Sequence, residues 1–139
     1  MIVLDASVLI AFLNPDDVHH HDADEFILRA ISDGQEMAIN PVTLAEVLVL
    51  PTREGRVDNV VAELGNLGVL EASFPPDASR ALARLRVAGL KMPDCCVLLT
   101  AMDRGAALVS FDDRLVGAAT QRLADGRLTG CYDDLVNAA

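Results

Sequence analysis

The first apolar run of the chain, Ile2–Leu4, leads directly into an acid, Asp5. A short, continuous apolar run is typical of a strand that is buried on both faces of a parallel sheet, although a buried helix can show the same pattern. We interpret the run as the first strand of such a sheet. Asp5 then lies at the carboxyl end of the strand, which is the edge where ligands bind in open α/β sheets.

Apolar runs of this kind recur along the chain and alternate with segments of helical pattern. Further strands are predicted at residues 37–39, 69–72, 106–110 and 128–131. This alternation predicts an α/β domain with a mostly parallel sheet, and right-handed crossovers bring the carboxyl ends of its strands to one edge. With 139 residues, of which 52% are hydrophobic, the chain is expected to form one domain, residues 1–139, around a sizeable core.

Turn and capping residues set the predicted limits of several helices. Ser7 is predicted to cap a helix over residues 8–13. Asn40 and Pro41 break the second apolar run, and Pro41 is suited to begin the next helix because a first helical residue needs no amide donor. Pro51 is expected to end that helix.

The formal charge of −10, from 21 acids and 11 basic residues, argues against a surface that coats nucleic acid non-specifically. It does not argue against a nuclease, since an acidic pocket can hold divalent cations while a few arginines hold the strand. No apolar stretch approaches the roughly 20 residues that span a bilayer, and no basic region precedes the N-terminal apolar run. We therefore expect a soluble, cytoplasmic protein without a membrane partner.

Two groups of potential metal ligands have simpler interpretations. The run His19 to His21 lies among acids, but consecutive residues of a helix point about 100° apart and cannot all face one ion. We interpret this stretch as the solvated start of a helix. The cysteines lack the C-x-x-C spacing of zinc and redox sites, so Cys95, Cys96 and Cys131 are expected to be reduced packing residues.

Four acids are predicted to reach the carboxyl edge of the sheet. Asp5 and Asp112 follow predicted strands, whereas Glu46 and Asp94 lie on helices that can be aimed at that edge. Glu46 is also consistent with the solvent-facing position of an amphipathic helix. Asp94 is also consistent with an ordinary first-turn acid, which contributes roughly 1 kcal/mol.

Four carboxylates in one cleft repel one another and cannot all stay ionised unless cations or protons compensate. Mg²⁺ or Mn²⁺ accepts carboxylate oxygens and waters and leaves positions open for phosphate. The pattern therefore indicates metal-assisted phosphodiester hydrolysis. The histidines are bunched in one stretch, so no Ser-His-Asp or Cys-His arrangement competes with this interpretation.

The motifs that carry these acids resemble those of the PIN-domain nucleases. They are Asp5-Ala6-Ser7, Leu44-Ala45-Glu46-Val47, Pro93-Asp94 and Val109-Ser110-Phe111-Asp112. Each motif is weak alone, but together they occur in order over nearly the whole chain. In size and motif spread, the sequence looks most like the stand-alone VapC-type toxins of bacterial toxin-antitoxin pairs.

The resemblance implies a PIN-like three-layer sandwich, with about five parallel strands between helices. It also implies Mg²⁺- or Mn²⁺-dependent endoribonuclease activity on RNA, a homodimer, and inhibition by a cognate antitoxin whose tail occupies the active-site groove. By the same analogy Asp5, Asp94 and Asp112 are metal ligands, and Glu46 is a ligand or a water-orienting base. Ser7 would support the first acid.

Two acids stand where the family pattern needs one, and we favour Asp112 over Asp113 because it comes first after the strand. We also predict that Arg53, Arg56 or Arg84 contacts substrate phosphates.

Other protein classes fit the sequence less well. A phosphoacceptor receiver domain needs a lysine after a late strand, whereas the single lysine, Lys91, precedes a helix. A haloacid-dehalogenase-like phosphatase needs a second aspartate where Ser7 stands. The remaining alternative is a nuclease-like fold that serves mainly as a protein-binding module with weak or no activity.

Overall fold

The structure of the protein is a computed structural model that describes residues 1–124. Strands and helices alternate along this part of the chain, which confirms the α/β prediction. In chain order they are β1 (Ile2–Leu4), α1 (Ala6–Leu13), α2 (His20–Ser32), β2 (Met37–Ile39), α3 (Pro41–Arg53), α4 (Val57–Asn66), β3 (Val69–Glu71), α5 (Ala78–Val87), α6 (Met92–Arg104), β4 (Ala107–Val109) and α7 (Asp113–Ala124). The strand predicted at residues 128–131 lies outside the described residues.

The described strands form a parallel sheet of four strands in the order β3-β2-β1-β4. Ile2 of β1 lies opposite Met37 on one side and Ala107 on the other, and Leu4 lies opposite Val109. Every residue of β1, β2 and β4 is buried, whereas the edge strand β3 is partly exposed. The short apolar runs thus form the doubly covered strands that the sequence predicted.

Alternation along β1 divides the core between the two faces of the sheet, because successive strand residues point to opposite faces. Ile2 and Leu4 pack in a cluster with residues of α1 to α4, including Leu9. Val3 packs in a second cluster with residues of α5 to α7, including Leu98. Helices cover both faces, which confirms the three-layer arrangement.

The predicted start of the first helix is wrong. α1 begins at Ala6 rather than at residue 8, and its N-cap is Asp5. Asp5 has the extended backbone of a cap residue but makes no capping hydrogen bond with its side chain. Ser7 therefore lies inside the first turn, where its hydroxyl can bond to another part of the chain.

The predicted end of the third helix is also wrong, because α3 continues through Pro51 to Arg53. A proline inside a helix removes one backbone hydrogen bond, but its fixed φ is compatible with helical geometry. Only two helical residues follow Pro51, so little of the helix depends on the missing bond.

Helix α6 is the most deeply buried of the described helices, with a continuous buried stretch from Cys95 to Ala101. Cys95 and Cys96 are unpaired and buried, as expected for packing residues; Cys131 lies outside the described residues. None of the helices in residues 1–124 combines the length and apolar composition that crossing a membrane requires.

The turn from β2 into α3 depends on the fully buried side chain of Asn40. Its Oδ1 accepts the amide of Thr43 at 2.9 Å, and its Nδ2 donates to Thr43 Oγ1 at 2.7 Å. Pro41 follows as the first helical residue, as predicted. This cap fixes where α3 leaves the sheet and therefore where Glu46, five residues after Pro41, is held.

We expect Asn40→Ala to lower the free energy of unfolding by about 2 kcal/mol, because it removes the cap and leaves buried groups of Thr43 unpaired. Asn59→Ala, at an exposed position of α4, is the matched control and should stay within about 0.5 kcal/mol of wild type. Urea unfolding monitored by circular dichroism measures both. Equal effects of the two substitutions would contradict a stabilising role for the cap.

Candidate active site

The order of the strands creates a crevice between β1 and β4. From β1 the chain runs outward through β2 to β3 and then crosses to the other side of β1 to form β4. In open parallel sheets, ligands bind at the carboxyl ends of the strands where the order reverses in this way. Asp5 directly follows β1 and Ser110 directly follows β4, so both residues lie at this crevice.

Asp5 is only 9% exposed, and two serine hydroxyls hold one of its oxygens. Ser7 Oγ and Ser110 Oγ each donate to Asp5 Oδ2 at 2.8 Å. A hydroxyl has a single proton, so once both protons point to Asp5 the 3.3 Å separation of the two Oγ atoms is a contact without a hydrogen bond. Among the described residues, Asp5 Oδ1 accepts no hydrogen bond, which leaves that oxygen for a ligand.

The same serines accept hydrogen bonds from the loop between β4 and α7. The amide of Phe111 donates to Ser7 Oγ at 3.0 Å, and the amide of Asp112 donates to Ser110 Oγ at 2.9 Å. Each serine thus joins Asp5 to the loop that carries Asp112. Sequence reasoning assigned Ser7 a supporting role but missed Ser110; the signal was a serine between an apolar strand and a pair of acids.

Asp112 occupies the capping position of α7. Its Oδ1 accepts the amide of Arg114 at 3.0 Å, and its carbonyl accepts the amide of Val116 at 2.9 Å. Asp113 is the first helical residue and is exposed. The negative charge of Asp112, and not of Asp113, acts on Asp94 across the site, which supports the choice of Asp112.

Glu46 and Asp94 reach the site from helices on opposite faces of the sheet, and α3 contacts α6 there. Burial raises the pKa of Glu46 above its ordinary value of 4.5, and the charges of Asp5 and Asp94 raise it further. Burial also raises the pKa of Asp94, with further increases from Asp112 and Asp5. The structure therefore brings the four predicted acids into one electrostatic site.

The chemistry of this donor set fits a hard cation. Ion pairs within the described residues involve Glu25, Glu54 and Asp103, and not the four site acids. No three Asp, Glu, His or Cys side chains in residues 1–124 lie close enough to ligate one ion together. Mg²⁺ commonly binds through one or two carboxylates and several waters, so the spacing fits a hydrated ion better than a closed protein cage.

Two cations that sequence reasoning did not select lie within electrostatic reach of the site. Lys91 and Arg114 both lower the pKa of Asp94, against the larger effect of burial. Lys91 lies three residues before Asp94, and Arg114 lies two residues after Asp112. Closeness in sequence to the motif acids was the signal that pointed to them.

The three arginines that the sequence suggested lie at different places. Arg56 pairs with Glu54 and lines the same groove as Glu46. Arg53 lies on another surface, between α3 and α4. Arg84 lines a cavity beside α5 and α6. Of these arginines, Arg56 therefore shares a surface with a site acid.

A groove of about 600 Å³ is lined by Glu46 and by residues of α1, α3 and α4. Most of its lining is apolar, and it includes Ile10, Phe12, Leu13, Val47, Val49, Leu50 and Val60. Leu50, Val49 and Ile10 are 55%, 49% and 41% exposed. The groove thus joins a site acid to an accessible apolar surface.

The three consecutive histidines have three different environments. His20 Nδ1 lies 2.8 Å from the carbonyl oxygen of Ala11. His21 is exposed and lies 3.9 Å from Glu25. His19 stacks on the ring of Phe111, with ring centroids 4.4 Å apart and planes inclined by 8°. The prediction that they do not share one metal ion agrees with this divergence, but the stack was not predicted.

Comparison with known proteins adds to these observations. The family model described as the PIN domain matches residues 2–120. A search of curated proteins found no match.

Several solved structures have a similar fold. One is Mycobacterium tuberculosis VapC20, a sarcin-ricin loop cleaving toxin, with 20% identity, a TM-score of 0.67, and coverage of 85% of this chain and 95% of that chain. A toxin-antitoxin complex from Klebsiella pneumoniae shows 20% identity, a TM-score of 0.66, and coverage of 81% and 87%. FitAcB from Neisseria gonorrhoeae shows 18% identity, a TM-score of 0.64, and coverage of 94% and 96%. Because the family match spans most of the sequence and these structures share its architecture, the chain belongs to the PIN domain family.

Proposed function

We propose that the protein is a metal-dependent endoribonuclease that acts in the cytoplasm as the toxin of a toxin-antitoxin pair. The observation that carries the proposal is that, in a PIN-domain chain, the charges of Asp5 and Asp94 act on Glu46 and those of Asp5 and Asp112 act on Asp94. The VapC20 structure, from a toxin that cleaves RNA, supports RNA as the substrate. We further propose that residues 1–139 act as a single nuclease domain and that the active form is a homodimer.

In this proposal Asp5, Asp94 and Asp112 hold a hydrated Mg²⁺ or Mn²⁺, some of them through bound waters, with Asp5 offering Oδ1. A bound divalent ion would stabilise negative charge at the phosphate and would lower the pKa of water, so that water loses a proton to a base more readily and becomes a nucleophile. The chain itself orients the carboxylates: Ser7 and Ser110 fix Asp5, and the capping bond from the Arg114 amide fixes Asp112.

The raised pKa of Glu46 suits it to take a proton from the attacking water, because a general base works best when its pKa approaches the working pH. Glu46 is held on α3 rather than on a strand end, so it can face the metal ligands from the side of the groove. We therefore assign Glu46 the role of a ligand or water-orienting base.

The groove beside Glu46 supports an antitoxin partner. Its apolar lining is suited to the apolar face of an inserted peptide, and a peptide that contacts Glu46 there would lie next to a site acid. The Klebsiella pneumoniae structure is a toxin-antitoxin complex, which agrees with this assignment. The same groove favours the second candidate function, a PIN-like module that binds protein partners with weak or no nuclease activity.

We expect purified protein to cleave structured RNA that includes the sarcin-ricin loop only when Mg²⁺ or Mn²⁺ is added. Asp5→Asn and Asp94→Asn should each reduce the rate at least about 100-fold, because each removes a carboxylate that holds the metal ion, and misplacing a catalytic group costs about this much. Asparagine is preferred to alanine at position 5 because it keeps an acceptor for the serine hydroxyls. The fold should remain intact in circular dichroism.

Asp33→Asn is the matched control, since Asp33 is an exposed acid just before β2 and lies at the opposite edge of the sheet. It should cleave like wild type. Equal cleavage by wild type, Asp5→Asn and Asp94→Asn would remove these acids from the mechanism. Absence of any metal-dependent cleavage together with tight binding of a protein partner would favour the second candidate function.

Metal-free Glu46→Gln should be more stable than wild type at neutral pH. The raised pKa means that native Glu46 holds its proton more tightly than unfolded Glu46, so native stability falls as pH rises through the window above 4.5. Glutamine cannot ionise, so Glu46→Gln does not show this fall in stability with rising pH. Melting temperatures measured in EDTA should therefore diverge between pH 4 and pH 7.5, with the variant higher at pH 7.5.

Glu36→Gln, an exposed acid just before β2, controls for the simple loss of one negative charge. Saturating Mn²⁺ should stabilise wild type more than Glu46→Gln, because the ion relieves the same repulsion. A melting temperature of Glu46→Gln that follows Glu36→Gln at every pH would contradict the shared electrostatic site.

Ser110→Ala should weaken Mn²⁺ binding about 10- to 100-fold, because residues that orient ligands commonly contribute this much to metal affinity. The substitution removes the hydrogen bond to Asp5 and the acceptor of the Asp112 amide. Isothermal titration with Mn²⁺ measures the affinity, and Ser79→Ala on exposed α5 is the control. Unchanged Mn²⁺ affinity in a folded Ser110→Ala variant would reduce Ser110 to a packing residue.

A further inference from the structure

The stacked rings of His19 and Phe111 lie at the rim of the active site. Phe111 precedes Asp112, and the amide of Phe111 bonds to Ser7, which in turn bonds to Asp5. His19 comes from the loop between α1 and α2, so the stack joins that loop to the loop between β4 and α7. An aromatic surface is therefore held within one residue of a proposed metal ligand.

Local hydrogen bonds give the His19 loop a defined shape. The amide of Asp16 donates to Asn14 Oδ1 at 3.0 Å, and the amide of His19 donates to Asp17 Oδ1 at 2.9 Å. The amide of Asp17 also donates to the carbonyl of Asn14 at 3.0 Å. These bonds preorganise the loop, so a ligand that meets the His19 ring need not order it first.

The position of the other phenylalanines makes the His19 stack distinctive among the described residues. Phe26 is only 8% exposed, and Phe12, Phe74 and Phe111 are partly buried and pack against the core clusters. His19, by contrast, is exposed, while Phe111 is half-buried beneath it. The stack therefore presents an accessible ring beside the acids in a chain with few aromatic residues.

The charges around His19 favour contact with a nucleobase of the RNA over contact with a phosphate group. The carboxylates of Asp16 and Asp17 belong to the same loop and repel a phosphate group. An uncharged nucleobase meets no such repulsion and gains from stacking on any aromatic face. A ring surface beside acids is thus chemically matched to an unpaired base whose backbone lies over the metal site.

We propose that His19, supported from below by Phe111, is a stacking platform for an unpaired nucleobase of the RNA next to the phosphate that is cleaved. The proposal rests on the proposed ribonuclease function and deepens it, because it names a residue that selects unpaired over paired RNA. His19 binds and positions the substrate and takes no part in bond breaking.

The test uses the full chain carrying Asp94→Asn, in Mg²⁺, so that RNA binds without being cut. The probes are single-stranded decamer oligouridylates, each with one 2-aminopurine at a different position, whose fluorescence falls when the base stacks. We expect quenching at one probe position. His19→Ala should abolish that quenching and weaken binding roughly five- to 150-fold, the range for loss of one stacked base.

His19→Phe keeps a stacking ring and should restore both quenching and affinity. His21→Ala removes a neighbouring exposed histidine that has no stacked partner among the described residues, and it should bind like the parent. The salt dependence of binding should be the same with and without His19, because a base contact releases no counterion.

The outcomes separate the platform from the proposed function. Equal binding and equal quenching with His19 and His19→Ala, accompanied by a lower melting temperature of the variant, would overturn the platform and leave the stack as a structural clamp. A reduced salt dependence in His19→Ala would also overturn it, by making His19 a phosphate contact. Failure of the parent to bind any of the oligonucleotides would overturn the platform, whereas the ribonuclease proposal is decided separately by metal-dependent cleavage of structured RNA by wild type.

Discussion

Asp5 Oδ2 accepts hydrogen bonds from both Ser7 and Ser110. These bonds connect the ends of β1 and β4, the first and last described strands, at the candidate active site. This arrangement depends on the register of β1 against β4, in which Leu4 faces Val109 and the next residues of both strands meet. A slip of one residue would exchange the faces of the strand and separate Asp5 from Ser110. The packing of the core on both faces of β1 therefore also determines the geometry of the acid that we assign to metal binding.

The fold partly compensates for the repulsion that the acids create. Asp5 is the N-cap of α1, Asp94 lies in the first turn of α6, and Asp112 caps α7. Each acid thus lies where the partial positive charge of a helix end stabilises an anion, by about 0.3 to 1 kcal/mol. Glu46, in the second turn of α3, lacks this advantage, and burial and neighbouring charges raise its pKa. The helices lessen the repulsion without removing it, and a divalent ion would supply the remaining positive charge.

The features that the sequence predicted correctly depend on local patterns. The runs at Ile2, Met37 and Ala107 show the continuous apolar pattern of doubly covered strands, and an acid that follows such a strand must lie at the carboxyl edge. The assignment of Glu46 and Asp94 to the site stays a prediction: a helical acid also has an ordinary solvent-facing interpretation, and the order of the motifs favours the site.

The features that the sequence did not predict depend on distant partners. Ser7 looked like a helix cap because its partners are distant in the sequence: its hydroxyl contacts Ser110 across 103 residues and accepts the Phe111 amide across 104 residues. Ser110 contacts Asp5 across 105 residues; its place between an apolar strand and two acids indicates the sheet edge but does not identify Asp5 as its partner. The stack of His19 on Phe111 was not predicted either. Adjacent histidines are usually interpreted as solvent-exposed residues or metal ligands rather than as partners of an aromatic ring. The pairing of β1 with β4 determines which of these residues come into contact.

The acidity of the protein has a consequence for how a nuclease of this kind would hold RNA. With a net charge of −10, the chain cannot rely on the counterion release that dominates the affinity of basic nucleic-acid-binding proteins. Lys91 and Arg114 act on Asp94, but the four acids outnumber them at the site. Divalent ions would then be needed to bind the phosphates as well as to activate water. If divalent ions supply most of the binding to phosphates, the rest of the protein surface binds RNA weakly. Discrimination among RNAs then depends on the shape of the crevice and on base contacts at its rim.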